Sequence, residues 1–203
     1  MEGCSHYFEI WTKKDDNGQS LLDYVQAKLV DNARLESERN LSPSMLIVDS
    51  KTIQNADTAE EKGYDGGKKK TGVKIHIAVD INGLPYAIYV TTANISDMKG
   101  GIEMFSQPSY HSFSFLETVL GDGTYAGKNF ADAIYELTGA KVEIARRSEL
   151  HTFAVIPKRW IVERTFAWLD KCRRLWKNCE RKIGNTLNMI KFAFVSLLLR
   201  RYE

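Results

Sequence analysis

The chain has 203 residues, 43% of them apolar, which is enough for one main domain with a buried core and a small additional segment. Its formal net charge of +2 indicates no partner by itself, but residues 1–62 carry 7 basic and 12 acidic side chains, whereas residues 141–182 carry 12 basic and 5 acidic ones. The basic segment suits a polyanion and, equally, a solvated helix face. Three cysteines without a CxxC pair argue against a secreted disulfide framework.

The first predicted element is a helix over residues 21–30, where apolar residues recur at helical spacing after turn residues at 15–18. This part of the chain is acidic. We predict that residues 1–43 form an acidic helical appendage, and that the main domain spans residues 44–203.

Short apolar or alternating runs typical of strands begin at residue 45. Strands are predicted at residues 45–49, 73–80, 84–93, 115–122 and 141–145. Asn82-Gly83 joins the second and third of these in a hairpin. Helices are predicted at residues 98–105, 128–137, 158–182 and after Asn185.

This order of elements predicts an α/β fold, in which a mixed sheet is covered by helices on its faces. The longest apolar run, residues 192–199, is far too short for a membrane span, which needs about 20 residues. It therefore indicates a buried helix.

Two aspartates follow apolar runs at predicted strand ends: Asp49 follows MLIV and Asp122 follows VLG. Sites in such sheets form at the carboxyl ends of strands. A single aspartate at that position is more often a turn former or a helix cap. Two on neighbouring strands would repel each other unless a cation lay between them, and such pairs suit Mg²⁺, which prefers oxygen ligands.

A third acidic residue, Glu163, lies in the basic and aromatic stretch IVERTFAWLDKCRRL, residues 161–175. At about 100° per residue, Glu163 falls on a polar stripe of the helix, and Trp168 and Trp176 fall on the far side. We expect the tryptophans to pack against the sheet. The ordinary alternative for Glu163 is a surface ion pair with Arg159, four residues earlier.

Four blocks occur in order along residues 44–202: VDSKTIQ, GYDGGKKKTGVKIHIAVDINGLPYAIYVTTANISD, GDGTYAG and ARRSELHTFAVIPKRWIVERTFAWLDKCRRLWKNCER. They resemble the catalytic domain of bacterial insertion-sequence transposases of the insertion-sequence-five type, which belong to the DDE class. The separations of 73 positions from Asp49 to Asp122 and 41 from Asp122 to Glu163 also fit that family. The resemblance implies a ribonuclease H-like mixed sheet flanked by helices, with a long C-terminal catalytic helix and an extra apolar helix.

The resemblance further implies that Asp49, Asp122 and Glu163 are catalytic residues and metal ligands that hold two Mg²⁺ ions, with Mn²⁺ as a substitute. The implied activity is metal-dependent DNA cleavage and strand transfer at the ends of an insertion sequence, acting on terminal inverted repeats and target DNA. In the family motif around the glutamate, Arg159 matches. The tyrosine position holds Ile156 and the lysine position holds Asp170.

Basic residues near these motifs would neutralise DNA phosphates without reading sequence. The candidates are Lys68, Lys69, Lys70, Lys74, Arg146, Arg147, Arg159, Arg164, Lys171 and Arg174. For the lysine-rich loop, a solvated turn is an equally good interpretation. Lys171 and Arg174 are candidates to replace the lysine of the family motif.

Members of this family usually carry a longer helical DNA-binding region than the 48 residues that precede Asp49 here. We expect either the second reading frame of an element, joined by frameshifting to an upstream-frame product, or a truncated copy. We also expect a homodimer on paired DNA ends and a cytoplasmic, nucleoid-associated location in bacteria. Two alternatives stay open: an inactive remnant that still binds DNA, and a structural helical module that binds a protein through its C-terminal helix.

Overall fold

The computed structural model describes residues 2–145 and 158–202, with side chains from residue 6 onward in the first helix. Within these ranges the strands are β1 Met45–Gln54, β2 Gly63–Asp65, β3 Lys70–Val79, β4 Pro85–Thr92, β5 Thr118–Gly121 and β6 Lys141–Ile144. The α-helices are α1 Glu2–Thr12, α2 Leu21–Glu36, α3 Asp97–Phe105, α4 Lys128–Thr138, α5 Arg159–Leu169 and α6 Ile183–Arg201. Short 3-10 turns occupy Gly123–Tyr125 and Arg173–Leu175.

The strands form a single mixed sheet in the order β4, β3, β1, β5, β6, with β2 pairing the start of β3. Strand β3 is antiparallel to both β1 and β4, whereas β5 is parallel to β1 and to β6. Gly83, with φ of +84°, makes the predicted hairpin turn between β3 and β4, where a side chain would be strained. The predicted ribonuclease H-like fold is confirmed.

Successive residues of β1 are buried on opposite faces of the sheet, as the two-residue period of a strand requires. Leu46 and Val48 join a core cluster that includes residues of α2, α3 and α4. Ile47 joins a second cluster with residues of α5 and α6. Asp49 is two residues beyond Ile47 and therefore shares the face covered by α5.

The single long helix predicted for residues 158–182 is wrong, because α5 ends after eleven residues. The indole N–H of Trp176 donates to a backbone carbonyl at the end of α5, which closes the helix. The backbone N–H of Asn178 then bonds to the carbonyl of Gln54 at 2.8 Å, and its side-chain amide bonds to Asn55 at 2.9 Å. Pairing with the end of β1 thus draws the chain away from the helix axis.

The prediction that the tryptophans pack against the sheet is wrong for Trp176, whereas Trp168 lies against the β3–β4 hairpin, where a Cβ on Gly83 would be 3.1 Å from its ring. Trp176 is 66% exposed because the helix ends before it. Trp168 is half-buried, with its indole ring 4.8 Å from the guanidinium of Arg164 and 4.1 Å from that of Arg201. The residues of α5 that face the core are Ile161, Val162, Thr165, Phe166 and Leu169.

Helix α2 begins with a capping box in which Ser20 and Asp23 each satisfy a backbone N–H of the other. Near its end, Arg34 forms a buried ion pair with Asp80 of the β3–β4 hairpin. Helix α2 therefore shares the core of the sheet, while the division of the chain at residue 43 stays a prediction.

The predicted apolar C-terminal helix is present as α6, which packs against α2 and β4. Across the described part of the chain, no helix combines the length and the apolarity that a membrane crossing requires.

Candidate active site

Asp49 lies within β1, so the predicted strand end at this residue is wrong. Antiparallel pairing with β3 continues to Gln54, whereas parallel pairing with β5 stops at Ile47. Asp49 is therefore just past the last residue of β1 that pairs with β5. Since β1 and β5 are parallel, Asp49 lies at the same edge as Asp122, which leaves β5.

Asp122 begins the 3-10 turn that follows β5, as a cap. Its Oδ1 accepts the backbone N–H of Thr124 at 2.9 Å and also the hydroxyl of that residue. Its Oδ2 lies 3.2 Å from the guanidinium of Arg159. One carboxylate oxygen is thus fixed by the turn, and the other faces α5.

Glu163 lies on the outer side of α5, with its side chain 58% exposed. Its Oε1 is 3.4 Å from Nε of Arg159, one helical turn earlier. The surface ion pair considered from the sequence is therefore present. However, the same guanidinium also contacts Asp122, so Arg159 joins two of the three predicted catalytic carboxylates.

The pKa of Asp49 is strongly perturbed by its surroundings. Its pKa is raised from the ordinary value of 3.8 to about 6, mainly by burial and also by the negative charge of Asp122. The backbone N–H of Ser50 and the positive charges of Arg159 and Lys68 act in the opposite direction. Asp49 is therefore electrostatically coupled to Asp122 and Arg159.

The donor set fits a hard divalent cation, because the three predicted ligands offer only carboxylate oxygens. Among the residues that the structure describes, no three acidic, histidine or cysteine side chains stand close enough together to hold a metal ion. Arg159 supplies the positive charge between Asp122 and Glu163 instead. Glu163 would join a ligand set with Asp49 only after Arg159 released it.

A buried polar layer lies on the opposite face of β1 and β3. The ammonium of Lys74 is 2.8 Å from Asp97 and donates to the carbonyl of Ile95 at 2.7 Å. Because Lys74 is buried and already bonded, the predicted contact with DNA does not suit it. His76, also buried, has Nε2 3.0 Å from the hydroxyl of Thr91, and burial lowers the pKa of His76 to about 4.

Tyr125, which is absent from the sequence prediction, lies in the core cluster on the opposite face of β1 and interacts electrostatically with Asp49 and Asp122. It is 1% exposed, and burial raises its pKa well above 10, assisted by the negative charges of Asp49 and Asp122. Tyr125 therefore stays neutral beside both aspartates. Its signal in the sequence is GDGTYAG, because a Cβ on Gly121 would lie 3.0 Å from the Cβ of Tyr125.

The predicted DNA-binding lysines Lys68 and Lys69, in the loop between β2 and β3, and Lys70, at the start of β3, are exposed. Lys68 lies near enough to lower the pKa of Asp49. This loop therefore borders the acidic site.

The remaining basic candidates have different surroundings. Arg164 stacks 4.6 Å from the ring of Trp160 and donates to the carbonyl of Asn82 at 3.0 Å. Arg174 forms an ion pair with Glu180 at 2.8 Å. Lys171 is exposed beside the end of α5. Arg146 and Arg147 lie outside the described residues.

Comparison with known proteins identifies the family of the chain. The profile of the family described as "Transposase DDE domain" matches residues 40–198. A protein from Burkholderia cepacia, named as a candidate transposase for insertion sequence element IS402, is 31% identical over 121 residues. That alignment covers 57% of this chain and 57% of the relative. Because the family match extends from just before β1 into α6 and agrees with the sheet topology, this protein belongs to the DDE-domain transposase family.

Proposed function

We propose that the chain is a DNA transposase that catalyses metal-dependent phosphodiester cleavage and strand transfer at the ends of an insertion sequence. The observation that carries this proposal is the convergence of Asp122 and Glu163 on Arg159, which is also electrostatically coupled to Asp49. The coupled group lies at one edge of a ribonuclease H-like sheet in a chain of the DDE family.

Asp49, Asp122 and Glu163 are the proposed ligands of two Mg²⁺ ions, or of Mn²⁺ in their place. Bound there, the ions would activate the attacking oxygen and stabilise the leaving oxygen of an in-line displacement at phosphorus. The chain contributes the placement of the carboxylates: β1 holds Asp49, the turn after β5 fixes one oxygen of Asp122, and α5 carries Glu163.

In this proposal Arg159 both pairs with the carboxylates and binds DNA. Its guanidinium neutralises Asp122 and Glu163 in the absence of substrate. A guanidinium also suits a phosphate, since its planar donors match two phosphate oxygens. We assign Arg159 to the DNA backbone next to the reacting phosphate, together with the exposed lysines 68–70 and Lys171.

Glu163→Gln tests the catalytic assignment. The substitution keeps the size of the side chain but removes its charge, so metal-dependent cleavage should be abolished while folding and salt-sensitive DNA binding persist. The substrate is a supercoiled plasmid that carries the DNA flanking the gene, incubated with Mg²⁺ or Mn²⁺. Glu136→Gln, at an exposed position of α4, is the matched control and should cleave as the wild type does.

Retained Mg²⁺-dependent nicking by Glu163→Gln would contradict the role assigned to Glu163. A second candidate function is that of an inactive remnant that binds DNA, which the closed contacts of Arg159 with Asp122 and Glu163 favour. The same assay separates the two candidates. The remnant predicts salt-sensitive binding by the wild type without cut product.

The proposal includes terminal inverted repeats and target DNA as substrates, bound in the bacterial cytoplasm at the nucleoid. It also includes two copies of the chain on paired DNA ends, and an upstream-frame product as a source of additional DNA contacts. Sedimentation of the chain with and without end DNA measures the copy number, and a single copy per paired end complex would contradict the dimer.

A further inference from the structure

A polar cleft of about 380 Å³ lies beside the second half of β1, between the start of β3 and the chain that follows α5. Its walls include Lys51, Lys70, Asp170 and Trp176. Lys70 belongs to the lysine-rich loop, but the roles of Lys51 and Trp176 are not explained by the carboxylate site.

Lys51 forms a two-pronged ion pair with Asp170. Its ammonium lies 2.5 Å and 2.6 Å from the two carboxylate oxygens, and 5.9 Å from the ring centre of Phe166. The side chains of Lys51 and Asp170 are 33% and 49% exposed, so the pair contributes little to folding. Asp170 also caps the C-terminus of α5, where the helix dipole disfavours a negative charge.

The ion pair therefore serves to position the ammonium. A lysine ammonium has three donors, and two of them suffice for the two oxygens of Asp170, which leaves one for a further acceptor. The partly exposed ammonium can reach that acceptor from the cleft.

Lys51 is also placed next to the carboxylate site. Residues two apart on a strand point to the same face and are separated by about 7 Å. Lys51 thus lies on the face of Asp49, one side-chain repeat farther along β1. A DNA strand whose reacting phosphate lies at Asp49 would bring a neighbouring phosphate toward Lys51.

Trp176 supplies a different kind of surface in the same cleft. It is 66% exposed, yet its indole N–H donates to the backbone carbonyl of Asp170, which fixes the ring. An exposed and fixed aromatic ring in a cleft that also contains cations is an arrangement on which nucleic-acid bases stack, while the cations follow the phosphates.

We propose that Lys51, Lys70 and Trp176 form a subsite for the DNA strand next to the reacting phosphate, and that Asp170 positions Lys51. Lys51 and Lys70 bind backbone phosphates, and Trp176 stacks on an unpaired base. The subsite rests on the proposed function, because its ligand is the strand that the carboxylate site cleaves.

The test measures DNA binding by fluorescence anisotropy over a range of salt concentrations, in EDTA, with a labelled duplex that carries a single-stranded overhang. Loss of one phosphate contact lowers the salt slope by about 0.7–0.9. Lys51→Gln should show this loss, with roughly three- to tenfold weaker binding at 0.1 M salt. Lys141→Gln, at an exposed lysine on β6, is the matched control and should keep the slope.

Asp170→Asn separates a binding role from a structural one. It removes the partner that positions Lys51 but leaves the ammonium, so the salt slope should be kept and binding should weaken by less than in Lys51→Gln. Trp176→Ala should weaken binding to the overhang substrate without affecting a blunt duplex, and Trp176→Phe should restore binding. Circular dichroism verifies that each variant is folded.

An unchanged slope in Lys51→Gln, matching that of Lys141→Gln, would overturn the subsite and leave the proposed transposase activity in place. Salt-insensitive binding, or no DNA binding, by the wild-type chain would overturn both. Equal losses of DNA affinity and of salt slope in Lys51→Gln and Asp170→Asn would also overturn the subsite, because the ammonium of Lys51 would then make no phosphate contact of its own.

Discussion

Asp49→Asn should stabilise the metal-free protein at neutral pH. Burial holds the pKa of Asp49 at about 6, against 3.8 for the ordinary side chain. This difference corresponds to about 3 kcal/mol of destabilisation when the carboxylate is ionised. Because Asp49 is partly exposed, we reduce the expected gain to about 1–2 kcal/mol. For a chain of this length, that gain raises Tm by about 2–8 °C.

The effect has a defined dependence on pH. A folded-state pKa above the unfolded value means that the native chain binds more protons between pH 3.8 and 6, so its stability falls as pH rises through this window. The full penalty is present above pH 6, and it disappears below pH 3.8. The advantage of Asp49→Asn should therefore shrink to about a third on moving from pH 7.5 to pH 4.5.

Differential scanning calorimetry in EDTA at these two pH values measures the effect. Asp122→Asn is the control with the opposite expected sign, because Asp122 accepts hydrogen bonds from Thr124 and pairs with Arg159. Added Mg²⁺ or Mn²⁺ should raise Tm of the wild type, since a ligand stabilises the state that binds it, and Asp49→Asn should lose this response. A lower Tm for Asp49→Asn at pH 7.5 would refute the reasoning.

Two other predictions concern the sheet. In Gly72→Ala the new Cβ would lie 1.9 Å from a backbone carbonyl oxygen of β1, so urea unfolding should show that the free energy of unfolding falls by about 3 kcal/mol. The control is Gly66→Ala, whose Cβ would have nothing within 4 Å and whose free energy of unfolding should be within about 0.5 kcal/mol of wild type. Equal stabilities of Gly72→Ala and Gly66→Ala would contradict the close contact between residue 72 and the backbone of β1. Burial lowers the pKa of His76 from 6.5 to about 4, so its contribution of up to about 3 kcal/mol is present above pH 6.5 and is lost as pH falls toward 4. Urea unfolding at pH 7 and pH 5 should therefore show a smaller pH dependence for His76→Gln than for the wild type, and an equal dependence would show that another group titrates.

The strands other than β2, the hairpin and the position of Asp122 follow from local sequence, because apolar runs, apolar alternation and the Asn82-Gly83 turn indicate them without help from distant residues. The end of β1 does not. The strand continues to Gln54 because β3 pairs with it, and this pairing is not visible in MLIVD alone. Likewise, residues 158–182 keep a helical pattern in sequence, but the bonds of Asn178 to the end of β1 break the helix. Both failures come from contacts that are distant along the chain.

The candidate site shows the same division. Asp49, Asp122 and Glu163 can be chosen from strand positions and matching motifs, but the contact of Arg159 with two of these residues cannot, because it depends on how α5 lies over the sheet. For a related reason, Tyr125 is not selected from the sequence. Its burial beside Asp49 and Asp122 depends on the fold of the turn after β5 and on α3 packing against that turn.

Two basic residues at the site are paired with carboxylates of the chain itself: Arg159 with Asp122 and Glu163, and Lys51 with Asp170. A DNA phosphate that takes the guanidinium of Arg159 would release two carboxylates, which are the proposed ligands of the divalent ions. Binding of DNA and binding of metal should therefore favour each other, and linkage requires the coupling to be equal in both directions. A Mg²⁺ titration followed by Tm, with and without DNA, measures this coupling. Equal apparent metal affinities in the two titrations would mean that Arg159 does not exchange its carboxylate partners for phosphate.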